Sequence, residues 1–228
     1  MGQKISVNFL RARKRLPNND NASATHNELQ KSVWFANGRD YSKLMLQDFA
    51  IKDYLRLKLK DAGLVEIIIR RFFKKIEISI FTTKPGIIIG RQGSSINELR
   101  TDVTKRFGLK TEVKLDIQEV KDTFLSAVSI AYELGEAIKK GMPYRRLAKT
   151  FMEKAKMAGN KGIKLMFSGR INGSDIARTE TLNNGAVPRH TIDSNIDYAL
   201  NHCQTKSGIM GIKVWLYKGN KYDKFNNN

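Results

Sequence analysis

Two glycines three positions apart, Gly90 and Gly93, separate the apolar turn Lys84-Pro-Gly-Ile-Ile-Ile from an amphipathic stretch that runs to Gly108. Glycine has no Cβ, so such a pair lets the backbone bend sharply and approach an anion closely. Arg91 adds a cation at the tip. Beyond the loop, Ile96, Leu99, Val103 and Phe107 recur at helical spacing, and Ser95 with Glu98 makes a capping-box pattern. The loop is therefore expected to open a helix, where free N–H groups and the positive end of the dipole favour an anion. Alone, G-x-x-G is a weak signal, because plain turns share the spacing.

The flanking segments restrict the fold further. Residues 43 to 60 carry Leu46, Phe49, Ile51, Tyr54, Leu55, Leu57 and Leu59 mostly at helical spacing, with Gly63 placed to stop a helix. Residues 65 to 70 form a short run rich in β-branched residues, and 75 to 82 alternate strictly. This predicts two strands paired through a bend at 72 to 74, with Ile76, Ile78 and Ile80 on the buried face. Residues 111 to 118 alternate again. The order is helix, strand, strand, loop, helix, strand, that of a type II KH domain (α-β-β-α-α-β). In a KH domain the G-x-x-G loop clamps a nucleic-acid backbone. Gly90, Arg91, Gln92 and Gly93 are thus candidate RNA-binding residues.

A second set of elements begins near residue 121. Phe124, Val128, Ala131, Gly135 and Ile138 mark one helix face. Gly141-Met-Pro143 then breaks the chain before a helix from 144 to 158, with Leu147, Phe151, Ala155 and Ala158 facing a core. Strand patterns follow at 163–168, 176–182, 191–198 and 212–218. The expected class is α+β, a KH domain followed by a two-layer α/β sandwich of two helices on a mainly antiparallel sheet. The expected division is a basic arm at 1–42, the KH domain at 43–121 and the α/β domain at 122–228. The arm's Asn-rich continuation suits either a disordered tail or a segment that orders on RNA.

Charge narrows the function. The 228 residues hold 41 Lys and Arg against 22 Asp and Glu, a net charge of +19, which calls for a polyanionic partner. Residues 139 to 164 concentrate nine basic groups against the single acid Glu153. An ordinary solvated helix would intersperse carboxylates among its cations, so Arg145, Arg146, Lys149 and Lys156 read as an RNA-facing side. The segment Gly169-Arg170 to Arg178 joins two strands with a cation on either side, compatible with a plain hairpin connection or with RNA contact. Trp34 with Phe35, and Trp215 with Tyr217, fit a core better than stacking platforms. No apolar run approaches the roughly 20 residues that span a bilayer, and the N-terminus lacks a secretory signal pattern. The lone Cys203 permits no internal disulfide and suits a reducing compartment. No phosphate loop, metal-ligand spacing or nucleophile motif is present, so neither a cofactor nor a small-molecule substrate is expected.

The fragments Trp34-Phe-Ala-Asn37, Lys84-Pro-Gly-Ile-Ile-Ile-Gly90, Lys161-Gly-Ile-Lys164, Ser168-Gly-Arg170, Asp175-Ile-Ala-Arg178-Thr-Glu180 and Gly211-Ile-Lys-Val-Trp-Leu-Tyr-Lys-Gly219 resemble, in order and spacing, the bacterial-type ribosomal protein S-three family. The resemblance implies a protein of the small-subunit head, bound to ribosomal RNA and to small-subunit proteins ten and fourteen, beside the channel where messenger RNA enters. It also implies that Arg145, Arg146 and Lys149 line that entry and help separate paired messenger RNA. Two departures stand out. Val7-Asn-Phe-Leu-Arg11 replaces the family's usual opening, and the loop tip carries Arg91 and Gln92 where two basic residues are common. The competing readings are a free-standing KH RNA chaperone and a lyase using Lys149 or Lys156 as a Schiff-base nucleophile.

Overall fold

The structure, a computed structural model, describes Val7 and residues 32–220 apart from 110 and 121. The chain divides into two compact units, residues 18–121 and residues 122–228 together with 1–17. Each has its own core.

The first unit runs β1 (Ser32–Val33), α1 (Gly38–Lys58), β2 (Leu64–Arg71), β3 (Lys75–Thr82), α2 (Pro85–Ile89), α3 (Ser94–Phe107) and β4 (Glu112–Glu119). After the short β1, this is the expected α-β-β-α-α-β order. The sheet order is β1-β2-β3-β4. β2 and β3 form an antiparallel hairpin that sets Ile69 opposite Ile78, and β4 lies parallel to β3 with Val113 opposite Ile76. The strict alternation of β3 therefore puts Ile76, Ile78 and Ile80 on one face, where they meet Ile51 and Leu55 of α1 and Leu99 and Val103 of α3.

Three local features differ from the sequence reading. α1 begins at Gly38, so the arm boundary expected at 42 falls inside this helix, and β1 pairs with β2. The early turn shows no apolar period; it is favoured by the acid Asp40 near the positive helix end. On the same helix Met45, Leu46, Phe49 and Leu57 stay exposed. Ser95 is not a cap: α3 is capped by Gly93 in the left-handed region, with no side-chain cap bond, and Ser95 sits inside the first turn.

The second unit runs α4 (Ala127–Lys139), α5 (Tyr144–Met157), β5 (Gly162–Gly169), β6 (Arg178–Gly185), β7 (Ser194–Thr205) and β8 (Gly208–Asn220). Its sheet is antiparallel throughout, in the order β6-β5-β8-β7. Both helices cover one face, packing on Leu165 and Phe167 of β5, Val214 and Leu216 of β8, and Cys203 of β7. Gly135 permits this close approach, because a Cβ there would meet Asn201 Nδ2 at 2.6 Å. Asn201 Nδ2 donates to the Ala131 carbonyl at 2.9 Å, fastening α4 to β7.

The strands β7 and β8 are longer than their sequence patterns indicate, and β6 starts at Arg178 rather than 176. The buried line of α5 is Tyr144, Ala148, Met152 and Ala155, with Leu147 and Phe151 only partly buried. Tyr144 turns the helix this way: its ring packs edge-on to Phe167 at 5.6 Å, and its hydroxyl donates to Glu180 on β6. On the opposite sheet face Trp215 and Tyr217 form a small cluster with Ile196 and Val7. Both aromatics of that pair are core, as the sequence favoured. Of the arm expected at 1–42, residues 1–6 and 8–31 lie outside the described residues.

Candidate nucleic-acid interface

The glycine loop is shaped by space as much as by torsion. Gly90 ends α2 at φ 69°, ψ −175°, a region open essentially to glycine alone. A Cβ at Gly90 would also lie 2.8 Å from Ser95 Cβ. Gly93 has φ 76°, yet only Ile96 Cγ2, at 3.8 Å, stands near its missing Cβ. Between them Gln92 adopts φ 52°, an uncommon conformation for a residue with a side chain. The result holds the exposed Arg91 and Gln92 outward at the start of α3, whose first turn contains no acid and no side-chain cap. Buried Ile88 anchors α2 in the core, leaving Ile87 and Ile89 exposed beside the loop.

In the second unit, the basic helix separates into two electrostatic groups. Arg145 Nη2 lies 3.3 Å from Glu180 Oε2, and Arg178 Nε lies 3.5 Å from Glu180 Oε1. The Tyr144 hydrogen bond, helped by these two cations, holds the Glu180 carboxyl below its ordinary 4.5. Burial, then the bond to Glu180, pushes the Tyr144 hydroxyl up. By contrast, Arg146, Lys149 and Lys156 are exposed, and among the described residues no carboxylate forms an ion pair with any of them. Arg146 and Lys149 are i,i+3 neighbours, and Lys156 follows Lys149 two turns later on the same side. Lys149 and Lys156 lack the apolar enclosure that activates a Schiff-base lysine.

The connection from β5 to β6 is internally braced. Arg170 Nε donates to the Ser174 carbonyl at 2.8 Å, Nη1 to the Ser207 carbonyl at 3.4 Å, and Nη2 meets Asp175 Oδ1 at 3.3 Å. Gly169 has φ 135°, and a Cβ there would meet the Ile209 carbonyl oxygen at 2.9 Å. Both residues thus shape the connection, while Arg178 shares Glu180 with Arg145.

Comparison with known proteins covers both units. A KH domain model matches residues 50–123, and a model described as ribosomal protein S3, C-terminal domain, matches residues 134–216. The small ribosomal subunit protein uS3 of Caldicellulosiruptor saccharolyticus is 42% identical over 188 residues, spanning 82% of this chain and 84% of that protein. The chain belongs to the uS3 family. The uS3 of Synechocystis is 38% identical over 83% of this chain and 79% of its own length, and that of Polynucleobacter asymbioticus 39% over 82% and 68%. The glycine loop falls inside the KH match, and Arg145 through Lys156 inside the match to the second uS3 domain.

Sequence reasoning named the cations but missed the groups that sort them. Glu180 and Tyr144 divide Arg145 from Arg146. Arg178 and Glu180 are two apart on a strand and so share a face, a legible signal; the reach of Tyr144 across to them is not. In the first unit Asp48, 3% exposed, receives Arg71 Nε at 2.8 Å and Trp34 Nε1 at 2.6 Å. This ties down Trp34 and leaves Phe35 exposed.

Proposed function

We propose that the chain is a structural, non-catalytic component of the small ribosomal subunit that binds ribosomal RNA in the subunit head and holds messenger RNA where it enters. Small-subunit proteins ten and fourteen are its proposed protein neighbours. The observation that carries the reading is the exposed stripe Arg146, Lys149 and Lys156 on α5, which forms no ion pair among the described residues, since three such cations on one rigid helix suit a line of phosphates. Arg145 stands beside them, steadied by Glu180. Gly90, Arg91, Gln92 and Gly93 supply a second contact through backbone shape, and Gly169, Arg170 and Arg178 a third at the sheet edge. Membership of the uS3 family and the KH match support the assignment.

Two measurements test it. Tagged protein should co-sediment with intact small subunits in a sucrose gradient; recovery only at the top of the gradient would refute the ribosomal role. Replacing Arg145, Arg146 and Lys149 with Ala should slow translation through stable messenger hairpins and leave unstructured messages nearly unchanged. Equal slowing of both would remove the entry role.

A further inference from the structure

Beside the exposed cations of α5 lies a groove of about 410 Å³ formed by Met142, Pro143, Arg146, Leu147 and Thr150. Its lining has no acid. Met142 is half exposed, and the Thr150 hydroxyl is turned to the helix, donating to the Arg146 carbonyl at 3.1 Å. What remains lining the groove is the thioether, the pyrrolidine ring, Leu147 and the Arg146 side chain, which brings the one charge. An occupant matched to both features is flat and apolar on one part and anionic on the next. A nucleotide has that composition: a base for the apolar floor and a phosphate for the cation. A lipid surface fits less well, because membrane insertion uses a broad apolar face, whereas here the apolar area is one short groove flanked by cations.

We propose that this groove seats one unstacked nucleobase of single-stranded RNA, with the adjoining phosphates on Arg146 and Lys149. The site rests on the reading of α5 as RNA-facing and adds to it. Phosphate contacts alone do not distinguish paired from unpaired RNA, while a base seat is usable only by a strand whose base has left its stack. The groove therefore gives α5 a preference for the unpaired side of a junction. Arg146 serves twice, since its guanidinium plane also stacks on a base.

The full chain tests this with two probes, an eight-nucleotide uridine RNA and an RNA of the same length and charge with abasic sites. Wild type should bind the uridine RNA about fivefold more tightly than the abasic one at equal salt, the scale of one modest apolar contact. Met142→Ala should abolish most of that difference by weakening uridine binding only, and Met142→Leu should restore it. An unchanged uridine affinity in Met142→Ala would overturn the base seat, even with steep salt dependence intact for both RNAs; the ionic reading of α5 would then survive alone. Loss of salt dependence in wild type would instead strike the underlying reading. Should Met142→Ala weaken binding to phosphatidylglycerol vesicles and leave both RNAs untouched, the groove faces lipid and the proposal fails.

Discussion

The glycine loop and the helix α5, the two main RNA contacts proposed above, would meet the same ligand chemistry by opposite means. In the loop the backbone does the work: Gly90 and Gly93 hold positive φ values, and one cation, Arg91, stands at the tip. On α5 the backbone is ordinary helix, and the side chains act, three of them in no ion pair with an acid among the described residues. A site built from backbone tolerates changes in its side chains but no Cβ at its tightest point. A site built from side chains accepts changes of backbone-neutral residues and fails with each lost charge.

Substitutions at the glycines should have the largest effect. Gly90→Ala combines a forbidden torsion with collision against Ser95, and should cost roughly 3 kcal/mol in urea unfolding. Gly93→Ala meets only the torsional cost, about 1 kcal/mol. Equal losses at both positions would break the claim that space, not torsion alone, fixes Gly90. Next comes the helix: Arg146→Ala with Lys149→Ala should lower single-stranded RNA affinity about tenfold and flatten the salt slope by about 1.4, the value for two lost phosphates. Arg91→Ala should flatten it by about 0.7. A loop effect as large as that of the helix would erase the distinction between backbone and charge. Arg145→Ala should fall below Arg146→Ala, because Glu180 already occupies its guanidinium.

The smallest expected effect is one of pH. Glu180 has a lowered folded pKa, so its stabilising contribution is complete above its ordinary 4.5 and is lost as pH falls through the depressed folded value. Thermal melts of wild type and Glu180→Gln should differ most near neutrality and converge in acid. A difference that grew on acidification would show that Glu180 is not held as a carboxylate by Tyr144 and its cations.

The repeating patterns of the chain were legible because they are local. Alternation in β3 and the 3.6-residue period in α3 report directly which face is buried. The glycine loop was legible because few other residues take its torsions. Helix α5 was also found, but its buried line was read through Leu147 and Phe151 rather than Tyr144, Ala148 and Met152. Hydropathy ranks Tyr144 and Ala148 low, and what buries them is the sheet opposite, remote in sequence. Glu180 was missed for the same reason: a carboxylate between two arginines reads as surface until the fold brings Tyr144 to it. Of the proposed site, the charges were visible in the sequence, and their pairing was not.

The cluster on the uncovered sheet face bears on how the molecule is made. Val7 packs with Ile196 on β7 and with Trp215 and Tyr217 on β8, so a residue that precedes every helix and strand named above depends on partners from the last two of those strands. The loop it closes is long, but closure entropy grows only logarithmically with length. Seating Val7 thus requires β7 and β8 to be paired, which makes it a long-range step in the assembly of the second unit.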